Sequence, residues 1–528
     1  MPTFVLQNHL FLLHFFVSLN NIVRLYVFKN QSDRVARPVA IDKGDGTMNE
    51  HKKSTPWFSM TRRKMLGGLL LGTGWLMTGC GFSKSGRRLT QQGGVLLYRV
   101  PKYPPGLEDA ATFTLMDALY GRRSRRFAAG TEIPDGVLAF KSKKEPLPLD
   151  PLEQLLVLTA AAGNTGWHYM IYRDDSYAPH LSNYSAAAGG RTFPSAAGWH
   201  VVDFFYTDDQ GVYYFPTRDA PSLMERSENG QMDLNVWLDA HRARIRKLAD
   251  GRLHLPAKEP YIEGHNTWCA NRPGTTLIIP VVDVAQMTLN AFSFLVANGF
   301  CVYDDLSGQK IPGMERFRKL VDVDKPWPLS VVERQSFSFA TTELTTSCYA
   351  GTLMLQALGL GGWMYTGINM FSVLGASGDP AVPGLGFRFD KKEAWPVPNV
   401  TGLPGIYEGY CPPHYKDMRA AVEALTQRKF GRGGPFHPET PGPWKETSKV
   451  RVAAKVHTEE FKDCVATMAQ YIFERFGKFP GTVPTIYILT YLQAHHLDLD
   501  FYDHYFKPGA YLKTHAQHMA RWHSDAAI

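Results

Sequence analysis

The chain reads as an α+β protein, a mixed sheet flanked by helices, with large insertions and a mainly helical C-terminal extension. Three observations predict this. Segments with helical apolar spacing are interleaved with aromatic and β-branched runs that read as strands. The 528 residues, 44% hydrophobic and 20% charged, suffice to bury one large core with length to spare. A stretch rich in proline and glycine over 380–443 separates the strand-bearing part from a last amphipathic helix.

Taken in order, Phe113, Met116, Leu119 and Tyr120 recur at helical spacing from about Thr112 and turn at Gly121 into Arg122-Arg123-Ser124-Arg125-Arg126-Phe127. A second helix opens on Pro151 and runs through Leu152, Leu155, Leu156 and Leu158 to Ala162. Proline suits a first helical turn, where its missing N–H would have had no partner. Residues 167–172 read as a strand, and 201–206 with 211–215 as a hairpin. A charged helix is expected over 234–248, with Arg242, Arg244, Arg246 and Lys247 on a solvated face, then a central strand over 275–282. The segment 341–358 predicts a long helix that ends in Gly359-Leu360-Gly361-Gly362, where bare backbone allows close approach to a flat or anionic ligand. The last amphipathic helix has Thr458 as cap and Glu459 and Glu460 in its first turn. Phe461, Val465, Met468, Ile472 and Phe476 form one face of it, and Gly477 follows.

The net charge of +8 is spread along the chain, with no zinc-finger spacing or basic stripe, so nucleic acid is not an expected partner. Arg62-Arg63-Lys64 precedes a short glycine-containing apolar stretch that ends in Leu76-Met77-Thr78-Gly79-Cys80. It is too short for a membrane span, resembles a twin-arginine export signal, and closes on a lipobox-like cysteine. The expectation is a chain exported to the bacterial cell envelope and lipid-anchored at Cys80. Initiation at Met48 or Met60 is expected, which makes the preceding residues an upstream extension. The domain expectation is thus 1–80 extension plus signal, 81–107 tether, 108–390 main domain, and 391–528 irregular segment and helical arm. The remaining cysteines, Cys269, Cys301, Cys348, Cys411 and Cys464, form no CxxC pair, so no thioredoxin-type or compact zinc site is indicated.

Two stretches suit an anion beside a planar group. Arg122, Arg123 and Ser124 offer guanidinium forks and a hydroxyl to a phosphate. Asn164 offers a short amide to the edge of a heterocycle, between Gly163 and Gly166. In order, Arg122-Arg123-Ser124-Arg125-Arg126-Phe127, Ala160-Ala161-Ala162-Gly163-Asn164-Thr165-Gly166-Trp167 and Leu358-Gly359-Leu360-Gly361-Gly362-Trp363 resemble the FMN-dependent nitroreductase family. The resemblance covers about 108–390 and implies a nitroreductase-like fold and an FMN-dependent oxidoreductase acting on a small molecule. By it, Arg122, Arg123 and Ser124 hold the FMN phosphate and ribityl end and Asn164 the isoalloxazine edge, while Gly359, Leu360 and Gly361 lie beside the cofactor of a homodimer. It assigns no catalytic residue. The first motif is one residue short before Phe127, the Asn164 loop lacks the family's Gln-Pro, and the span 173–341 is longer than the family needs. Export leaves little access to NADH or NADPH, so a protein or a quinol is the expected electron donor.

The competing chemistry lies near the C-terminus, where His495, His496, Asp498, Asp500, His515, His518 and His523 gather. His515 and His518 share a helical face, and His495 or His496 with Asp500 makes another ligand pair. Imidazole and carboxylate suit zinc or iron, so a metal-dependent enzyme is the alternative, with a noncatalytic envelope binding protein as a third reading.

Overall fold

The computed structural model describes residues 95–96, 103–167, 189–218, 232–442 and 444–523. Of the two units into which the chain divides, Met1–Ser85 and Gly86–Ile528, every described residue belongs to the second. Arg62, Arg63 and Cys80 lie outside the described residues.

The first helical pattern forms two helices, α1 (Pro105–Thr112) and α2 (Leu115–Gly121). Thr114 divides them, because its extended backbone halts one while its side chain accepts the Asp117 N–H and starts the other. In α3 (Pro151–Ala162), the Asp150 side chain takes the Leu152 N–H and Glu153 reaches back to the Asp150 N–H, closing a capping box. The next strand, β1 (Asn164–Trp167), pairs with β2 (Gly189–Arg191). The expected hairpin is present as β3 (Val202–Thr207) and β4 (Gly211–Phe215), and its turn is held by Asp208, which accepts the Gln210 and Gly211 N–H groups.

The charged helix is shorter than its pattern. α4 (Leu234–Arg242) ends early, and β5 (Arg246–Asp250) follows as an edge strand hydrogen-bonded to β4. Pairing with a distant strand overrides the local helical preference there. Arg246 and Lys247 accordingly lie over the rings of Tyr214 and Tyr213, and not on a helix face.

The expected central strand is β6 (Thr276–Asp283), buried along its length, followed by α5 (Val284–Ala297). α6 (Leu329–Leu358) starts well before its expected position and ends at Gly359, from which β7 (Gly361–Tyr365) departs. The stretch 380–443 contains α7 (Met418–Phe430) and a small sheet of Arg388–Asp390, Asn399–Leu403 and Tyr407–Glu408, so it is more ordered than its composition suggests. In α8 (Glu459–Phe476), Thr458 accepts the Phe461 N–H and Gly477 closes the helix at φ +71°. The chain finishes with β8 (Ile486–Tyr487), β9 (Tyr491–His495), α9 (Leu499–Tyr505) and α10 (Lys513–Trp522).

The central sheet runs β7-β9-β6-β3-β4-β5, with β8 also on β6, and each of these pairings is antiparallel. Both faces are covered, and strand alternation distributes the apolar residues between them. Phe204, Ile278 and Leu492 face α3 and α6, while Phe205, Leu277 and Tyr491 face a second core with Ile368 and Leu374. A third core joins α5, α7 and α8. The protein is therefore α+β, with helices flanking a central sheet and further helical regions beyond it. α3 and α6 run antiparallel, with Ala161 against Gly351 at one end and the start of α3 beside Leu358 at the other.

The lipid-anchored, envelope-located expectation is corrected. Among the described residues no helix is long and apolar enough to cross a membrane and the five cysteines are all buried, while Cys80 itself lies outside them. The homodimer and the protein or quinol donor expected alongside it are corrected likewise: no contact with a partner chain is present among the described residues.

Candidate functional site

Four side chains from three parts of the chain meet at the N-terminal end of α3: Glu153, His496, and the pair His518 and His523. Their candidate ligand atoms all lie within 4.8 Å of one another. The capping box orients Glu153, because one oxygen, Oε2, is tied to the Asp150 N–H at 2.8 Å and Oε1 is left facing inward. His518 Nε2 stands 3.1 Å from Oε1 and His523 Nε2 2.9 Å from the same atom. His496 is the first residue beyond β9; its Nδ1 is 3.1 Å from His518 Nε2. Glu153 is fully buried, His496 and His518 nearly so, and the His523 side chain retains 17% exposure.

The outer partners of the rings fix the tautomers. His518 Nδ1 lies 2.8 Å from the Leu358 carbonyl, which can only accept, so Nδ1 carries a proton and Nε2 is the nitrogen turned to Glu153 Oε1 and His496. His496 Nε2 faces the Pro148 carbonyl at 3.2 Å and Glu153 Oε2 at 3.4 Å, both acceptors, so its Nδ1 presents a lone pair. Two imidazole nitrogens and a carboxylate oxygen therefore converge across about 3 Å in a buried space, an arrangement that needs a positive charge among them, a shared proton or a metal cation. A ring donating its second N–H to a carbonyl is also how metal-ligating histidines are held. Burial pushes the Glu153 carboxyl up, but hydrogen bonds from His518 and His523 and the neighbouring His496 more than reverse this and hold it well below the usual carboxylate range. Burial moves His496 down to about 4.

Of the four histidines expected as ligands, His496 and His518 belong to the cluster and His495 and His515 do not. His495 points to the other side of β9, with Nε2 on the Arg125 carbonyl at 3.1 Å. His515 turns back to the start of α10, where Nδ1 accepts the Leu512 N–H at 3.2 Å. His523 was legible only as part of the histidine run. Glu153 was missed, because a glutamate three residues after a capping aspartate reads as a helix cap.

The residues expected to hold FMN occupy two regions. Arg122 is half-buried at the end of α2, and Arg123 and Ser124 are exposed. Arg123 donates to the Tyr120 and Arg122 carbonyls at 3.0 and 2.7 Å. Arg125, next along, is buried on Gln356 Oε1 and the Ala510 carbonyl. Reciprocal backbone bonds between Arg125 and Gly362, at 3.3 and 2.8 Å, set this segment beside the glycine-rich turn. Gly359 needs its left-handed φ of +76°, and Leu360 is fully buried. A Cβ at Gly359 would run into the Thr514 carbonyl, and one at Gly361 into Leu497 and His495, so the chain's own arm fills the faces that bare glycines leave. Asn164 is buried at the opposite end of α3, about 16 Å along the helix from Glu153 at 1.5 Å per residue. Its backbone N–H donates to His241 Nε2 and its carbonyl accepts from Trp237 Nε1. Within one chain the expected residues thus fall into two groups, Arg122–Ser124 with the turn at 359–361, and Asn164 at the far end of α3.

The chain matches no protein-family model and no curated protein. Among solved structures it is similar to a chain from Ralstonia eutropha JMP134 provisionally named a nitroreductase, at 16% identity over 49% of this chain and 71% of that one, with a TM-score of 0.22. At that overlap the likeness carries no argument about residues or chemistry. The α+β architecture stands on the strands and helices described above.

Proposed function

We propose that this protein is metal-dependent and acts through a first-row divalent cation, zinc foremost, bound by Glu153 Oε1, His496 Nδ1, His518 Nε2 and His523 Nε2. The observation that carries this reading is the convergence of three imidazole nitrogens on one oxygen of a buried carboxylate, all within 4.8 Å of one another. Three nitrogens and one oxygen suit zinc or iron and fill a tetrahedral shell. His523, the most exposed of the four, is the ligand placed to give way to substrate, which would leave the three-ligand arrangement through which such metals act as Lewis acids. The test is metal content of the full chain after removal of any affinity tag. One zinc or iron per chain, lost in a His496→Ala, His518→Ala double variant, is the expected result. A chain that takes up no metal when titrated with zinc would leave a shared proton as the bridging cation and end this reading.

A second reading is an FMN-dependent oxidoreductase of the nitroreductase-like type. What supports it is the Arg125–Gly362 bridge, which sets the accessible Arg123 and Ser124 and the half-buried Arg122 beside the turn at 359–361. On that reading Arg122→Ala weakens FMN binding by roughly two orders of magnitude, as loss of a charge-assisted phosphate contact does. A colourless protein that binds no FMN on reconstitution would exclude it.

A further inference from the structure

α10 is fastened to the body in an unusual way. Of its ten residues the fully buried ones are His515 and His518, and Trp522 alone packs against the main core, so most of its inward face carries imidazole where an amphipathic helix would carry leucine or valine. A helix of this length has little stability of its own and needs tertiary contacts to persist. The body offers it sockets instead of an apolar groove. Gly106, Gly121 and Gly359 are positions where a Cβ would collide with Trp522, Leu512 and Thr514 respectively, so the arm settles on three bare backbone sites. Polar contacts complete the seat: Arg521 grips Asp109 through two bonds of 2.5 and 2.9 Å, and Thr514 Oγ1 donates to the Gln356 carbonyl at 2.8 Å. The Arg521–Asp109 pair is partly exposed, and such pairs contribute little.

The ligands divide in the same sense. Glu153 belongs to the body, whereas His518 and His523 lie on or directly after α10, with His496 on the strand end beneath. A cation at this centre would tie the helix to α3 where Trp522 is its one apolar contact with the main core.

Resting on the metal reading above, we infer that α10 is a metal-fastened strap whose closure over the glycine-rich turn at 359–361 and over the cleft between α1 and α6 is set by occupancy of the Glu153–His496–His518–His523 centre. The cleft has a volume of about 390 Å³ and is lined by Asp109, Phe113, Leu358, Thr514, Gln517 and Trp522 among others, so α10 supplies one of its walls. Removing the cation frees the strap, opens that wall and bares the backbone of Gly359. The same element thereby links metal status to access at the turn.

Hydrogen–deuterium exchange of the full chain, with and without Zn²⁺ as the added cation, tests this. Zinc stoichiometry is measured on the same samples, and the amides of β6 report whether the body stays folded. With zinc bound, exchange across Lys513–Trp522 should slow at least tenfold relative to the chelated protein, while β6 is unchanged. Glu153→Gln, which keeps an acceptor for the Asp150 N–H, and His523→Ala should each abolish the difference. Zinc bound one-to-one with equal protection of α10 in both states would overturn the strap and leave the metal centre standing. No bound zinc would overturn both. Two variants are needed because Glu153 also caps α3, whereas His523 can be removed without touching the core.

Discussion

His241 shows how one buried ring couples two parts of the chain. Its Nδ1–H donates to the Trp237 carbonyl at 2.6 Å and its Nε2 accepts the Asn164 N–H at 2.9 Å, so the neutral ring is the one the fold requires. Burial pushes its pKa down to about 4, and His457 moves the same way, to about 3. Between the ordinary histidine value of about 6.5 and these lower values, the unfolded chain binds protons that the folded chain does not. Stability therefore falls as pH drops from about 6.5 to about 4, by up to about 3 kcal/mol for a ring like His241. Denaturant midpoints measured from pH 7 to 4.5 should decline, and His241→Gln should flatten part of the decline; an identical slope in the variant would show that this ring does not titrate with unfolding. At this scale the sequence was partly readable. A histidine-rich C-terminus was evident, but which rings converge was not. His495 and His496 are adjacent, and only the exit of the chain from β9 sends one to Arg125 and the other to Glu153. The partner carboxylate lies more than three hundred residues away in the chain, where no local pattern marks it.

Among the elements, those whose ends are written locally were the legible ones. Pro151 places α3 at its observed start, and Thr458 with Gly477 place both ends of α8, because a cap acts on amides only two or three residues away. The segment 234–248 was misread because β5 owes its form to β4, a partner that local periodicity does not reveal. α7 was missed inside a region whose prolines and glycines dominate its composition. The end of α6 gives a prediction at this scale. Gly359→Ala imposes a left-handed conformation costing roughly 1 kcal/mol and drives a methyl group against the Thr514 carbonyl, so the loss should exceed that figure. Thermal unfolding should report a fall of several degrees, and a concurrent rise in exchange across α10 would place the collision at Thr514. A variant as stable as the parent would mean that α10 does not press on this turn in solution. Asp150→Ala should cost about 1 kcal/mol through the lost cap and should also weaken zinc uptake, since it loosens the box that orients Glu153.

At the level of the whole molecule, a ligand that binds the folded chain and not the unfolded one adds stability that grows with its concentration. Zinc at about a thousand times its dissociation constant should add about 4 kcal/mol, so the melting temperature should climb with zinc and return on chelation. A melting temperature indifferent to zinc would argue that no such site closes on folding. The α+β class was readable because it needs only helices and strands in number; the order of the strands was not, because it joins segments far apart in the chain. That order bears on how the protein is made. β6 borders β3, about seventy residues earlier, and on its other side β9, which is synthesised some two hundred residues later. While the ribosome works through the interval, the β3–β4–β5 meander and β6 can assemble with one long apolar border left open to any passing strand. Nascent chains arrested before residue 491 should consequently bind holdase chaperones and aggregate when released, whereas chains arrested after β9 has cleared the exit tunnel should not; biogenesis of this molecule hinges on the arrival of its last strand.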